Sequence, residues 1–127
     1  MTDRLISVVD DDASVRSATV DLLASIGFGC EAFASAEAYL QSDVVNRTLC
    51  LILDVRMPGL SGLELQRLLT DQGRIVPIIF ITSFPDERTR RQAIEGGAVC
   101  YLLKPYSDDE LLHCIRLALE PSEPTAH

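Results

Sequence analysis

Five short strand-like runs, four of them apolar, alternate with segments of helical periodicity along this chain, and this alternation limits the possible folds more than any other feature. Each run has the length of a typical strand, and the third and fourth are apolar throughout, as expected of strands covered on both faces. The runs are residues 5–9, 29–33, 49–53, 77–81 and 99–103. With right-handed crossovers, the alternation predicts an α/β fold, a doubly wound, flavodoxin-like (βα)5 parallel sheet with strand order 2-1-3-4-5.

The predicted helices begin at residues that can cap a helix N-terminus. Two serines have a glutamate three residues later, which is the spacing of a capping box, and another serine and an aspartate stand alone. These residues are Ser61 with Glu64, Ser107 with Glu110, Ser35, and Asp86. The first helix is predicted to end at Gly27, and the third is expected to face the core with Leu65, Leu68 and Leu69.

Length and charge exclude several classes of function. A chain of 127 residues with a net charge of −8 is the size of one domain and is too acidic to bind nucleic acid by itself. It has no apolar run long enough to cross a bilayer and no secretory signal profile, so we expect a cytoplasmic protein without membrane contact. The predicted domain spans residues 1–120. Residues 121–127, which are polar and contain two prolines, are interpreted as a tail or the start of a linker.

The cysteines give no sign of a metal or disulfide framework. Four of them are scattered along the chain without a C-x-x-C pair, and the sequence contains only two histidines. A zinc site would therefore lack ligands at usable spacing. We interpret the four as buried thiols of a reducing compartment: Cys30, Cys50, Cys100 and Cys114.

Acidic residues follow two strands that are predicted neighbours. Asp10, Asp11 and Asp12 come after strand one, and Asp54 comes after strand three. The strand order reverses between these strands, which is where open parallel sheets bind ligands. Two carboxylates ~5 Å apart repel each other by roughly 3 kcal/mol at an effective dielectric constant of about 20. A hard divalent cation, Mg²⁺ or Mn²⁺, would relieve the repulsion. The alternative role, a helix cap, is the expected one for Asp12.

A lysine and a threonine follow the remaining strands at the same predicted edge. Lys104 comes directly after strand five and is expected to reach the carboxylates and pair with Asp54. A cis bond to Pro105 would orient that lysine. Thr82 ends strand four, where its hydroxyl can donate to a phosphoryl oxygen. For Thr82 taken alone, a local hydrogen bond within the strand end remains an equal alternative.

Taken together, these residues resemble the signature of response-regulator receiver (CheY-like) domains. The order and spacing of Asp10, Asp11, Asp54, Thr82 and Lys104 match that signature, and the resemblance covers residues 4–120. The stretches 54–62 and 33–37 are similar to FixJ-type transcription regulators in particular. The resemblance implies a two-component phosphorelay receiver that is a phosphoacceptor switch rather than an enzyme.

The resemblance also implies a role for each matching acidic position. Asp54 would accept a phosphoryl group from a phosphohistidine on a sensor histidine kinase. Asp11, Asp54 and the main-chain carbonyl of Arg56 would ligate Mg²⁺, with Mn²⁺ as a possible substitute. Asp10 would act mainly through a bound water.

The resemblance also implies which residues bind the phosphoryl oxygens and which surface of the domain changes on phosphorylation. Lys104 and Thr82 would bind those oxygens, and Tyr101 would be a switch aromatic that turns inward. The face of helix four, strand five and helix five would then change, which would promote a homodimer and control transcription through a separate DNA-binding domain. A free-standing, single-domain regulator is the alternative.

Some positions depart from the common pattern. Phe84 and Pro85 replace small residues or histidine in the loop after Thr82, and Ser83 replaces a smaller residue. Arg56 is usual for FixJ-type proteins but not for the wider family. Since positions 56 and 84 flank the path of an attacking water, the lifetime of the aspartyl phosphate is not fixed by the resemblance.

Two other classes of function remain as rivals. Asp10-x-Asp12 is similar to the paired aspartates of haloacid-dehalogenase-like phosphatases, but Ser14 stands where those enzymes have Thr or Val, and the chain leaves no room for a cap. A flavin- or nucleotide-binding module would need phosphate-cradling glycines, which the acidic first loop lacks.

Overall fold

A computed structural model describes residues 5–120, and the predicted tail at residues 121–127 lies outside this described part. Five parallel strands form one sheet in the order β2-β1-β3-β4-β5, which confirms the predicted fold class and strand order. The strands are β1 (Leu5–Val9), β2 (Cys30–Phe33), β3 (Thr48–Asp54), β4 (Ile78–Thr82) and β5 (Cys100–Leu103). Each predicted run lies within two residues of the observed strand.

Five α-helices connect and follow the strands: α1 (Ala13–Ser25), α2 (Ala36–Gln41), α3 (Gly62–Asp71), α4 (Glu87–Glu95) and α5 (Asp108–Leu119). The predicted caps are confirmed. Ser61 and Ser107 each form a complete capping box with the glutamate three residues later. Gly27 follows α1 with a φ of 95°, a conformation that only glycine adopts without strain.

A 3-10 helix over Asp43–Arg47 was not predicted from the sequence. Its two adjacent valines do not favour a helix, because β-branched side chains lose rotamer freedom there. Both valines are nevertheless buried, and the Ser42 side chain accepts a hydrogen bond from the Val44 N–H. Tertiary packing therefore orders this segment against its local preference.

Two apolar layers cover the two faces of the sheet. One lies on the side of α2, α3 and α4 and includes Tyr39 and Phe80, and the other contains the buried residues of α1 and α5. The prediction that Leu68 faces the core was wrong. Its side chain is 37% exposed, while Leu65 and Leu69 are buried. A helix presents only a narrow stripe to a sheet, and Leu68 lies at the edge of that stripe.

The thiols are less deeply buried than the sequence suggested. Cys50 and Cys114 are buried, but Cys30 and Cys100 are only partly buried, and all four are free. Both exceptions lie on β2 and β5, the edge strands of the sheet, where a neighbouring strand covers one side only. Burial raises the pKa of the Cys50 thiol to about 12, so this group stays protonated at neutral pH.

Within the described residues, no helix is both long enough and apolar enough to span a bilayer.

A buried cluster of three hydroxyl groups connects β1, β3 and α2. The hydroxyl of Thr48 lies 2.8 Å from that of Ser7 and 2.9 Å from that of Tyr39, and it donates to the carbonyl oxygen of Val44 at 2.8 Å. All three side chains are buried. Thr48 is therefore the centre of a satisfied polar network inside the core.

Replacing Thr48 by valine should lower the free energy of unfolding by roughly 2–3 kcal/mol. Valine has nearly the same shape but leaves two buried hydroxyl groups without their shared partner. Urea denaturation measures the change. Thr70→Val is the matched control, because the Thr70 hydroxyl bonds only a carbonyl of its own helix and the residue is exposed. Equal effects of the two substitutions would contradict this account of the network.

Candidate functional site

Three carboxylates meet at the carboxyl edge of the sheet. Val9 of β1 pairs with Leu53 of β3, so Asp10 and Asp54 follow at the same level on neighbouring strands. One oxygen from each of Asp10, Asp11 and Asp54 lies within 4.8 Å of the others. Asp10 is fully buried and Asp54 is 4% exposed, whereas Asp11 is open to solvent. The site therefore combines two buried acids with one at the entrance.

Lys104 supplies the positive charge of the site and is the only lysine in the chain. Its Nζ lies 2.8 Å from Asp10 Oδ2 and 3.2 Å from Asp54 Oδ2. The sequence predicted the contact with Asp54, but the shorter ion pair is with Asp10. The peptide bond between Lys104 and Pro105 is cis, as considered from the sequence. One ammonium group thus neutralises part of the charge of two carboxylates.

Burial and mutual repulsion change the ionisation of this cluster. Burial, followed by the neighbouring charge of Asp10, raises the pKa of Asp54 to about 7, although Lys104 opposes the change. Burial alone would lower the pKa of Lys104, but its contacts with Asp10 and Asp54 outweigh this and raise it. Asp54 is therefore protonated more readily than an ordinary aspartate, while Lys104 stays charged at neutral pH.

Asp12 caps α1, as predicted, and does not join the carboxylate cluster. Its Oδ1 accepts hydrogen bonds from the hydroxyl and the main-chain N–H of Ser14, at 2.7 and 2.9 Å. These bonds hold the pKa of Asp12 below its usual value. The Asp12 N–H donates to Asp10 Oδ1 at 2.9 Å, so the start of α1 also orients a carboxylate of the site.

The Thr82 hydroxyl forms the local hydrogen bond that the sequence left open as one of two alternatives. It accepts a hydrogen bond from the N–H of Phe84 at 3.1 Å, so it is bonded locally. Thr82 also lines a cavity of about 370 Å³ together with Asp11, Asp54 and Lys104. Its side chain is buried, and the strand pairing sets it next to the end of β5.

Arg56 and Phe84 also line this cavity. The guanidinium carbon of Arg56 lies 5.4 Å from the centroid of the Phe84 ring, which is the geometry of a cation–π contact. Phe84 is 63% exposed. The main-chain N–H of Arg56 donates to Asp54 Oδ1 at 3.3 Å, so the loop after β3 also holds the central carboxylate.

Tyr101 lies on β5 and not in the cavity. It pairs with Phe80 of β4, and its partly buried ring packs against the apolar layer on the α4 side of the sheet. Burial raises the pKa of its hydroxyl. One strand, β4, thus lies between Tyr101 and Asp54, and Tyr101 lies beside α4.

Two residues of the site region had no predicted role. The Arg16 guanidinium donates to the carbonyl oxygen of Asp10 at 2.7 Å, and Glu37 accepts from the main chain of Leu60 at 2.8 Å. Arg16 could have been found from its position one turn after the Asp12 cap. Glu37 is 23 residues away from Leu60, so nothing local in the sequence indicates that contact.

The chain belongs to the response regulator receiver domain family. The sequence profile of that family matches residues 6–116, which is most of the chain and includes every carboxylate, hydroxyl and lysine of the site.

Particular relatives include response regulators and a transcriptional regulatory protein. The chain is 46% identical to the response regulator protein TodT of Pseudomonas putida, over 94% of this chain and 54% of TodT. It is 44% identical to nodulation protein W of Bradyrhizobium diazoefficiens, over 94% of this chain and 52% of that protein. It is 40% identical to the transcriptional regulatory protein FixJ of the same organism, over 95% of this chain and 59% of FixJ. The chain therefore spans about half the length of these curated relatives.

Solved structures agree with this assignment. The structure of FixJ-N superposes with a TM-score of 0.83 and 35% identity, and the match covers 97% of this chain and 98% of that one. The response regulator StyR gives a TM-score of 0.83 and 42% identity, over 90% of this chain and 58% of that one. The likeness to FixJ-type proteins expected from the sequence is thus confirmed.

Proposed function

We propose that this chain is a phosphoacceptor switch of a two-component system, in which Asp54 accepts a phosphoryl group from a sensor histidine kinase. The observation that supports this most is the contact between Asp54, two further carboxylates and the one lysine at the edge of the sheet. The cavity of about 370 Å³ gives a phosphoryl donor access to Asp54. Membership of the receiver family supplies the class of reaction.

The donor set fits Mg²⁺, with Mn²⁺ as a substitute. Carboxylate oxygens are the hard ligands that both ions prefer, and the three carboxylates carry more negative charge than Lys104 can neutralise. Asp11, Asp54 and the main-chain carbonyl of Arg56 would hold the cation, and Asp10 would act through a water. When bound, the cation neutralises charge on the transferring phosphoryl group.

The carboxylate of Asp54 is the nucleophile in this proposal. One of its oxygens forms the new bond to phosphorus while the bond from phosphorus to the histidine nitrogen of the donor breaks, and the bonding electron pair stays on that nitrogen. The nucleophile must be ionised, so a cation that lowers the pKa of Asp54 from about 7 also favours the attack.

Lys104 and Thr82 act on the oxygens of the transferred group. Lys104 Nζ is 3.2 Å from Asp54 Oδ2 and can exchange this contact for one to a phosphoryl oxygen. The Thr82 hydroxyl can donate to another of these oxygens if it rotates away from the main chain of Phe84. Such a movement would shift the loop that leads into α4.

The output proposed is a change in the face formed by α4, β5 and α5. Tyr101 packs beside α4 and would turn inward as the loop after Thr82 moves. That face would then form a phosphorylation-promoted homodimer, and DNA would be bound through a separate output domain. The match to about half of TodT and of the transcriptional regulatory protein FixJ favours a receiver portion, and a free-standing regulator is the alternative. Sedimentation of the phosphorylated and unphosphorylated forms tests the dimer, and an unchanged monomer would contradict it.

The compartment and the class of activity follow from the same proposal. A sensor kinase would phosphorylate the protein in the cytoplasm, where its four cysteines remain thiols. The protein would act stoichiometrically and not as a turnover enzyme. Steady hydrolysis of a phosphate ester by the purified protein would instead favour the haloacid-dehalogenase-like alternative.

Acetyl phosphate tests the proposal without knowledge of the kinase. Incubation of the protein with acetyl phosphate and Mg²⁺ should add one phosphoryl group per chain, measured by intact mass spectrometry. The adduct should resist acid and be released by base, as an acyl phosphate is. The yield should drop sharply when the cation is chelated. A mass that stays unchanged in the presence of Mg²⁺ would contradict the proposal.

Phe84→Ala should shorten the lifetime of the aspartyl phosphate by roughly 2- to 5-fold, which corresponds to loss of one exposed cation–π contact and of the wall it stabilises. Phe84 and Arg56 line the cavity that contains Asp54 and contact each other, so we expect truncation of Phe84 to give the attacking water easier access. The decay of the phosphorylated mass after removal of the donor measures the lifetime. Ile75→Ala is the control, since Ile75 is 96% exposed and lies in the loop before β4. A longer or unchanged lifetime for Phe84→Ala would contradict this role.

A further inference from the structure

The carboxylate of Glu37 reaches from α2 to the loop that follows Asp54. Its Oε2 accepts a hydrogen bond from the main-chain N–H of Leu60 at 2.8 Å. Leu60 belongs to the loop of residues 55–61, which connects β3 to α3. A hydrogen bond from an N–H to a carboxylate is about twice as strong as one between neutral groups. This bond therefore links α2 directly to the segment that surrounds the central carboxylate.

Gly59 shows how closely Glu37 approaches this loop. A Cβ atom at Gly59 would lie 2.6 Å from Glu37 Oε2, which is closer than real Cβ atoms come to other atoms. The φ of Gly59 is +79°, a left-handed conformation that glycine tolerates best. The backbone conformation therefore favours glycine here, and a side chain at this position would have to displace the end of the Glu37 side chain.

The other end of the loop is fixed close to Asp54. The N–H of Gly62 donates to the carbonyl oxygen of Val55 at 3.0 Å, and a Cβ at Gly62 would lie 2.3 Å from the carbonyl oxygen of Asp54. The loop is therefore closed at its base by Gly62 and held farther out by Glu37. Arg56, whose carbonyl is a proposed cation ligand, lies between Val55 and Leu60 in the sequence, the two loop residues held by these bonds.

The neighbours of Glu37 in α2 are well anchored. Ala36 and Tyr39 are fully buried, and the Phe33 and Tyr39 rings meet edge to face with centroids 5.5 Å apart. The side chain of Ser35 caps the helix by accepting from the N–H of Ala38. The exposed Glu37 carboxylate thus extends from a rigid base, which lets it hold the loop instead of following it.

We propose that Glu37 is a positioning residue for the cation site. Its carboxylate holds the 55–61 loop so that the main-chain carbonyl of Arg56 stays in place as a ligand. This inference rests on the proposed function, because it concerns the cation that Asp11, Asp54 and Arg56 would bind. Glu37 is the last residue of the 33–37 stretch and has no role in the proposed phosphoryl transfer, so the positioning role is a separate function for it.

Mn²⁺ binding to the whole 127-residue chain tests this role. Free Mn²⁺ is measured by electron paramagnetic resonance during titration, without any phosphoryl donor. Glu37→Ala should weaken binding by about 5- to 20-fold, around the lower end of the range seen when groups that hold metal ligands are removed. Glu37→Gln should recover most of this loss, because its amide oxygen can still accept from the Leu60 N–H. Glu31→Ala and Glu31→Gln are the controls for loss of one surface charge, since Glu31 is an exposed residue of β2.

Gly59→Ala provides an independent variant. The new Cβ should displace the Glu37 side chain, so Gly59→Ala and Glu37→Ala should each weaken Mn²⁺ binding. The double variant should bind Mn²⁺ almost as well as whichever single variant binds it more weakly. Thermal unfolding in the absence of Mn²⁺ should show that each protein is folded at the temperature of the titration. Additive losses would overturn the connection between the two residues.

The possible results separate this inference from the proposed function. If the wild type binds Mn²⁺ and Glu37→Ala differs from Glu31→Ala by less than 2-fold, the positioning role is wrong and the cation site stands. If Glu37→Gln binds as weakly as Glu37→Ala, charge and not the hydrogen bond matters, and the positioning role is again wrong. If the wild type binds no Mn²⁺, the proposed cation site and this inference are both wrong.

Discussion

Asp54→Asn should abolish phosphorylation by acetyl phosphate, and it should do so without unfolding the protein. Asparagine preserves the shape of the side chain but lacks the oxygen nucleophile, so no acyl phosphate can form. Asp54 is 4% exposed and is held by the N–H of Arg56 and by Lys104. Intact mass spectrometry should show one phosphoryl group on the wild type and none on this variant.

Asp12→Asn is the matched control for that experiment. Asp12 belongs to the same acidic run as Asp10 and Asp11, and its substitution removes the same charge. Asp12 caps α1 and is not one of the three clustered carboxylates. Asparagine caps helices as well as aspartate does, so the yield of adduct should stay within about 2-fold of the wild type. An adduct on Asp54→Asn, or none on Asp12→Asn, would contradict the assignment of Asp54.

Lys104→Met should lower the free energy of unfolding by roughly 3 kcal/mol at pH 8 in the absence of divalent cations. The substitution leaves Asp10 and Asp54 buried together without the ammonium group that contacts both of them. At pH 5 the decrease in the free energy of unfolding should be only about 1 kcal/mol, because protonation of Asp54 then relieves its repulsion with Asp10. Urea denaturation in a chelating buffer measures both values.

The pH dependence of the wild type follows from Asp54. Its pKa is raised from 3.8 in the unfolded chain to about 7 in the folded protein. The folded state therefore binds more protons between these values, and stability falls as the pH rises from about 4 through about 7. Asp54→Asn should remove most of this slope and be roughly 2 kcal/mol more stable than the wild type at pH 8 without cations. Mg²⁺ should stabilise the wild type more than this variant.

A double-mutant cycle separates the ion pair from other effects of the lysine. Lys104→Met combined with Asp54→Asn should be less destabilised than Lys104→Met alone, because one of the two repelling acids is gone. Arg90→Met is the surface control. Arg90 pairs with Glu87 at 3.6 Å in an exposed position, where such pairs contribute about 0.5 kcal/mol or less. If Lys104→Met and Arg90→Met lowered the free energy of unfolding equally, the proposed electrostatic stabilisation of Asp10 and Asp54 by Lys104 would be contradicted.

The proximity of Asp10 and Asp54 was predictable from the sequence, because the carboxyl ends of parallel strands lie at the same edge of a sheet. The alternating pattern with right-handed crossovers left few topologies, and the commonest of them at this size has β1 and β3 as neighbours, as the structure confirms. Residues that follow neighbouring strands in register must then lie close together, as the pairing of Val9 with Leu53 shows. The same reasoning extends to Thr82 and Lys104, whose strands also pair.

Contacts made by long side chains were harder to predict. The sequence indicated that Lys104 reaches the carboxylates, but only the coordinates show that Asp10 is its nearer partner. The stacking of Arg56 on Phe84 and the bond from Leu60 to Glu37 were also unforeseen. Each of these contacts depends on rotamers and loop paths, which hydrophobic periodicity does not encode.

The sequence by itself determined the elements, their order and the edge of the sheet at which the acids gather. It could do so because periodicity, capping residues and strand ends are local properties, each written in a few consecutive residues. Only the tertiary structure decided which charges pair, how far Leu68 is exposed and how Glu37 holds a loop 23 residues away. These features depend on distances between segments far apart in the chain, and such distances exist only after the core has packed.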